Sequence, residues 1–171
     1  YFEQMSYQLE GSVNVDLLKE SYNQLVSRYS ILRTNYTHDV GGIPLQVVQK
    51  NLPVSFYYED ISSASDQTKL IDAYRENDKS KGFDLSSGSL MRLSIFKLSS
   101  NRFELIWSHH HILMDGWCMS IVNEEFYSMY LGLLSGAEVT LPSVKPYSSY
   151  INWLRELDSK ESESYWGDYL E

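Results

Sequence analysis

The sequence predicts an α/β protein, more narrowly an α+β two-layer sandwich, and not a helical bundle or an all-β barrel. Three observations carry this. Segments with strand-like alternation and segments with helical spacing are interspersed along the chain. The 171 residues are 43% hydrophobic and 14% aromatic, enough for one core. The first helical segment has a single apolar stripe, which needs a sheet or another helix to cover it.

In chain order, Phe2 to Leu9 alternates loosely and Gly11 ends it, as a strand running into a turn. Asn14 reads as a cap, and Leu18, Tyr22, Leu25 and Tyr29 form one stripe of a helix over about 15–30. Leu32 to Asp39 and Ile43 to Gln49 read as strands joined across Gly41-Gly42, a pair that supplies the positive φ angles of a tight hairpin. Val54 to Tyr58 is a further strand. Ser65 to Ser80 is polar, with Leu70, Ile71 and Tyr74 spaced for a one-sided exposed helix stopped by Gly82. Leu90 to Leu98 and Arg102 to Ser108 form the clearest hairpin, with Met91, Leu93 and Ile95 on one face and Phe103, Leu105 and Trp107 sharing a face of the second strand. Ile121, Val122, Phe126, Met129, Leu133 and Leu134 then define a long helix ending at Gly136. Helices over 146–158 and 161–170 close the chain, the first opening at Pro146. Their Tyr147, Tyr150, Trp153, Tyr165 and Trp166 read as core aromatics.

Composition excludes several functions. With 14 Lys+Arg against 23 Asp+Glu the net charge is -9, which repels phosphate backbones and anionic membrane surfaces. Nucleic acid and membrane partners are therefore not expected. Cys118 is the single cysteine, so no internal disulfide framework or Cys-rich zinc module forms, in keeping with a cytoplasmic setting. No apolar run approaches the roughly 18 residues of a membrane span, and the opening residues lack the order of a signal peptide. Tyr1 is not an initiator Met, and a piece of a longer protein is expected.

The chemically loud stretch is Ser108-His109-His110-His111-Ile112-Leu113-Met114-Asp115-Gly116-Trp117. If the strand continues, His109 and His111 share the face of Phe103, Leu105 and Trp107, while His110 points the other way. That face desolvates an imidazole and favours its neutral form, as a general base or anchor requires. Asp115 and Gly116 fall in the turn into the next helix, where Asp steadies the loop and Gly admits a close approach. His109-x-His111 with Asp115 is also a metal-ligand spacing, yet no second His/Cys/Asp cluster stands elsewhere, so no metal is expected. Arg28 and Arg33 are available to pair a buried acid. Gly41-Gly42 is no phosphate loop, and Ser120 lacks the setting of a hydrolase nucleophile.

These residues resemble a family. His110-His111-Ile112-Leu113-Met114-Asp115-Gly116 matches the HHxxxDG signature of nonribosomal peptide synthetase condensation domains, and Arg28 to Tyr36 (RYSILRTNY) resembles their RHxxLRTxF motif. Phe83-Asp84-Leu85, Leu90-Met91-Arg92-Leu93, Pro146 to Trp153 and Tyr165 to Leu170 resemble further family positions. The resemblance spans the chain but covers only the N-terminal half of such a domain. Residues 1–171 are thus expected to be an N-terminal subdomain lacking the first strand and helix upstream and the C-terminal subdomain. Cys118 stands where the family often has Ser.

The resemblance implies a chloramphenicol acetyltransferase-like half-domain, a mixed sheet with helices packed on it, that supplies one wall of a tunnel between two subdomains. It implies amide formation: an acyl or peptidyl group passes from a thioester on an upstream carrier protein to the α-amine of an aminoacyl thioester on a downstream one. Both substrates ride on 4'-phosphopantetheine, and the domain binds no cofactor itself. Further expected partners are the C-terminal condensation subdomain and an adjacent adenylation domain. By the same resemblance His111 is catalytic, as base or as orienting group, and His110 is structural or shapes the tunnel. Asp115 keeps the motif folded, with Arg33 or an Arg of the other half as its ion-pair partner, and the Gly116 N–H lies near the oxyanion. Arg28 and Arg33 support the site, and His109, Met114 and Trp117 are tunnel candidates. Alone, the fragment is expected to be inactive. Two alternatives stand beside this: a free-standing acyl-CoA-dependent acyltransferase of the same superfold, and a non-catalytic condensation-like domain that docks carriers.

Overall fold

The computed structural model describes residues 1–38 and 41–170. Strand β1 (Phe2–Glu10) leads through Gly11 into α1 (Val15–Arg28), whose cap is Asn14, its side chain accepting from the Leu17 N–H. Leu18, Tyr22 and Leu25 are buried as the stripe requires, while Tyr29 already lies past the helix and is half-buried. A 3₁₀ turn over Ser30–Arg33 follows, then β2 (Thr34–Thr37) and β3 (Leu45–Val48), paired antiparallel with Thr34 opposite Val48. Gly41 and Gly42 take φ angles of +64° and +74°, the left-handed region a tight connection needs. The Asp39 end of the expected strand lies outside the described residues.

Next come β4 (Ser55–Asp60), α2 (Gln67–Lys81), β5 (Met91–Lys97), β6 (Arg102–His110), α3 (Gly116–Ser135), α4 (Tyr147–Glu156) and α5 (Ser159–Leu170). The main sheet has the order β1-β6-β5-β4, with β2 and β3 forming a separate ribbon. β6 is antiparallel to both β1 and β5, whereas β4 and β5 are parallel. A parallel pair needs a crossover, and α2 supplies it.

This crossover adds a layer to the two expected. On one face Met91, Leu93, Ile95, Phe103, Leu105 and Trp107 pack against Leu18, Tyr22 and Leu25 of α1 and Met119, Val122, Phe126 and Met129 of α3. On the other, Phe96 and Ile106 meet Ile71 and Tyr74 of α2. β5 and β6 are therefore buried on both sides, including polar Arg92, Ser94, Glu104 and Ser108. Alternation in the sequence marks only the apolar face, because the second face mixes Phe96 and Ile106 with these polar residues and is covered all the same.

Two details fix α3. Arg28 bridges both oxygens of buried Glu125 (Nε–Oε2 2.7 Å, Nη2–Oε1 3.2 Å) and also donates to the Pro142 carbonyl, tying α1 to α3 and to the segment that follows. A Cβ on Gly132 would collide with Cγ2 of Val139, so glycine is what lets that segment fold back on the helix. On α3 itself Ile121 and Leu134, expected on the stripe, are exposed; Met119 and Tyr130 are buried instead.

The last two helices depart from expectation. Tyr147, Tyr150, Trp153, Tyr165 and Trp166 are exposed, not core, and no residue of either helix is buried. Their rings meet one another along the same helix, as in the stacked Tyr150–Trp153 pair at 5.7 Å. Helical spacing alone produces such contacts and says nothing about a second element above them. No helix among the described residues is long and apolar enough to cross a membrane.

Candidate active site

The three histidines meet three environments within one strand end. β6 places His109 opposite Glu3 and Met91 on the α1/α3 face, where it is 3% exposed. Burial pushes its imidazole down to about 4, so it is neutral near pH 7, and its Nδ1 has no partner among the described residues. His110, one residue on, turns to the α2 face and is half-buried between the rings of Tyr1 (6.2 Å) and Phe83 (6.5 Å). Burial lowers its pKa too.

His111 is not on the desolvating face. β6 stops at His110 and His111 opens a turn with its imidazole exposed, although its N–H still donates across to the Tyr1 carbonyl at 2.8 Å, in line with the β1–β6 pairing. The alternation argument fails because it assumed one more residue of strand; the buried neutral imidazole is that of His109. The turn is held from three sides. The Ile112 N–H donates to His110 Nδ1 (3.0 Å), the Leu113 N–H to the His110 carbonyl (3.1 Å), and the Tyr36 hydroxyl to the Ile112 carbonyl (3.4 Å). Leu113 and Met114 insert into the core below, which places the tunnel candidate Met114 among packed side chains.

Asp115 caps α3. Its Oδ1 accepts from the Trp117 and Cys118 N–H groups at 3.0 and 3.1 Å, and those bonds, Cys118 first, hold the carboxyl below its usual range. Arg33 does not pair with it: the guanidinium donates to the Gln49 carbonyl at 2.6 Å and so braces the β2–β3 ribbon. Arg28 does reach a buried acid, Glu125, as its position allowed. The cap leaves the Gly116 N–H outside its two bonds. A Cβ on Gly116 would meet nothing within 4 Å, and its φ is not left-handed. Nothing among the described residues requires glycine there. Trp117 is 87% exposed beside it. Among the described residues no group of three or more His, Cys, Asp or Glu is arranged to hold a metal ion.

Two buried groups escaped sequence reasoning. Glu125 lies between Val122 and Met129 on the apolar stripe of α3, and Asp78 extends the Ile71–Tyr74 stripe of α2. An acid at the helical spacing of a core stripe is the signal that finds both.

The chain matches the condensation-domain family over residues 1–171 and belongs to it. Among its relatives, a plipastatin synthase subunit of Bacillus subtilis (strain 168) is 45% identical over 99% of this chain, and surfactin synthase subunit 3 of the same organism is 41% identical over 100%. The chain spans only 7% and 14% of their lengths. Of solved structures, the starter condensation domain of rhizomide synthetase RzmA superposes with a TM-score of 0.87 at 16% identity, covering 99% of this chain and 42% of that one. The first condensation domain of the calcium-dependent antibiotic synthetase, in complex with a substrate analogue, gives 0.83 at 18% identity, again covering 99% and 42%.

Proposed function

We propose that this chain is the N-terminal subdomain of a condensation domain and takes part in amide-bond formation during nonribosomal peptide synthesis in the cytoplasm. The carrying observation is the β6–α3 junction, where exposed His111 and the open backbone of Gly116 stand together on a capped turn. Donor and acceptor are thioesters on the 4'-phosphopantetheine arms of an upstream and a downstream carrier protein, with an adenylation domain as a neighbour in the same protein. The acceptor α-amine attacks the donor thioester carbonyl; a C–N bond forms, the C–S bond breaks, and the donor thiol leaves with a proton.

His111 either takes the proton from the attacking amine or orients the nitrogen lone pair. An α-amine titrates near neutrality, so orientation alone leaves a reactive fraction of free amine. Gly116 admits the substrate close to the first turn of α3, where a backbone N–H stabilises a developing oxyanion by about 2–4 kcal/mol in sites of this kind. An approach from outside would account for glycine here, since no described residue lies within 4 Å of where a Cβ would stand. Gly116→Ala should therefore leave the melting temperature unchanged and slow amide formation at least tenfold. Unchanged turnover would remove Gly116 from the site.

The deciding experiment is condensation by the longer protein carrying this chain, with both carriers loaded and the carrier-bound amide detected by intact mass. Product from wild type and a loss of at least tenfold in His111→Ala is the expected result. Equal product from both removes His111 from the chemistry. No product from either, with carriers verified as loaded, overturns the catalytic reading in favour of carrier docking.

A further inference from the structure

The turn that carries His111 is steered by a ring whose own orientation is set from the α2 side of the sheet. A backbone N–H can only donate, so the bond from Ile112 to His110 Nδ1 requires a lone pair there. A half-turn of the imidazole would replace that acceptor with a C–H, and the bond would be lost. The ring is flanked by Phe83, edge to face with rings at 84° and centroids 6.5 Å apart, and by Tyr1 at 6.2 Å.

Phe83 follows directly on the helix stop at Gly82 and is held in turn by Arg92, whose guanidinium lies 3.9 Å from the ring centroid. Three hydrogen bonds immobilise that guanidinium: Nε to Asp78 Oδ1 (2.6 Å), Nη2 to the Asp78 carbonyl (3.0 Å) and Nη1 to the Gly82 carbonyl (2.8 Å). Asp78, 5% exposed, also accepts from Ser108 Oγ (2.6 Å) and Gln4 Nε2 (3.1 Å). The assembly is thereby fastened to β5, β6, β1 and the end of α2.

We infer that Phe83 and Arg92 are positioning residues for the His111 turn, acting through His110: Arg92, locked by Asp78, holds Phe83 against the imidazole so that Nδ1 stays bonded to the Ile112 N–H. The consequence for catalysis rests on the proposed function above; the consequence for the turn does not.

The test uses Phe83→Leu, which keeps apolar bulk and removes the flat ring, and Phe83→Tyr, which restores it, in the longer protein carrying this chain. Amide hydrogen exchange followed by mass spectrometry reads the turn directly. The Phe83→Leu exchange over residues 111–113 should rise at least tenfold while that of β5 and β6 stays at wild-type rates, and Phe83→Tyr should restore protection. In condensation assays Phe83→Leu should lower kcat about tenfold with KM for both loaded carriers within twofold, and Phe83→Tyr should recover it. Unchanged exchange over 111–113 overturns the inference whatever the activity does. Faster exchange with unchanged kcat overturns its catalytic half. If wild type forms no amide, the proposed function fails while the exchange result still decides the positioning role. Should fast exchange throughout β5 and β6 show that Phe83→Leu does not fold, Phe83→Met repeats the loss of the ring with a more adaptable side chain.

Discussion

The two faces of the main sheet solve the same burial problem by opposite means. Toward α1 and α3 the contacts are apolar and aromatic, with Trp107 edge-on to both Tyr22 and Phe126 at 5.8 and 5.3 Å. Toward α2 a smaller apolar patch of Phe96, Ile106 and Ile71 is joined by buried charge: Arg92–Asp78 at 2.6 Å and Arg75–Glu104 at 2.7 Å, with Ser108 and Gln4 donating to the same Asp78 carboxylate. The apolar face is cohesive without direction, whereas the polar face fixes angles. His109 and His110 divide between them, one isolated in the apolar layer and the other oriented by the polar one. A geometry-demanding turn is better governed from the face whose bonds have directions.

Substitutions should separate the faces. The largest loss is expected for Phe126→Ala, about 3–5 kcal/mol in urea unfolding, because a fully buried ring leaves a cavity its neighbours fill only partly. A loss below about 1 kcal/mol would mean that this face is loosely packed. Asp78→Ala should cost about 3 kcal/mol, since it strands the Arg92 guanidinium, while the double change Asp78→Leu with Arg92→Met should come within about 1 kcal/mol of wild type. If the double change cost as much as the single one, the pair would be contributing net stability and not direction.

The smallest effect is conditional on pH. Well above pH 6.5, by about pH 8, the His109 imidazole is neutral in both the folded and the unfolded chain and contributes nothing. As the pH falls from 6.5 toward 4, only the unfolded chain takes up the proton, and stability is lost. The depressed pKa corresponds to a loss of up to ~3 kcal/mol at the acid end. His109→Leu should flatten that part of the stability–pH curve. An unaltered slope in His109→Leu would place the depressed group elsewhere.

Much of this architecture was legible in the residues. Asn14, Gly82 and Gly136 mark helix ends by their chemistry, the Leu18–Tyr22–Leu25 stripe finds the core, and the β5–β6 hairpin follows from alternation. The histidine turn and Asp115 stand next to each other in the sequence, so local reading finds them. What it misses depends on contacts distant in the chain. The turn that follows β6 is held in part by the Tyr36 hydroxyl, distant in the chain, and it leaves His111 in an exposed position that alternation does not show. Burial of Arg92 and Ser108 depends on α2 crossing over them. The aromatic residues of α4 and α5 carry the same composition as the core but lack a covering element among the described residues.

The close approach at Gly132 reaches beyond stability to how such a domain tolerates recombination. A segment exchange that cuts between Gly132 and Val139 separates a missing side chain from the side chain that occupies its place. The Arg28 bond to the Pro142 carbonyl crosses the same region, so α1 is also keyed to it. A chimaera joined there inherits half of each lock, whereas one that moves α1, α3 and the segment through Pro142 as a block carries both halves together.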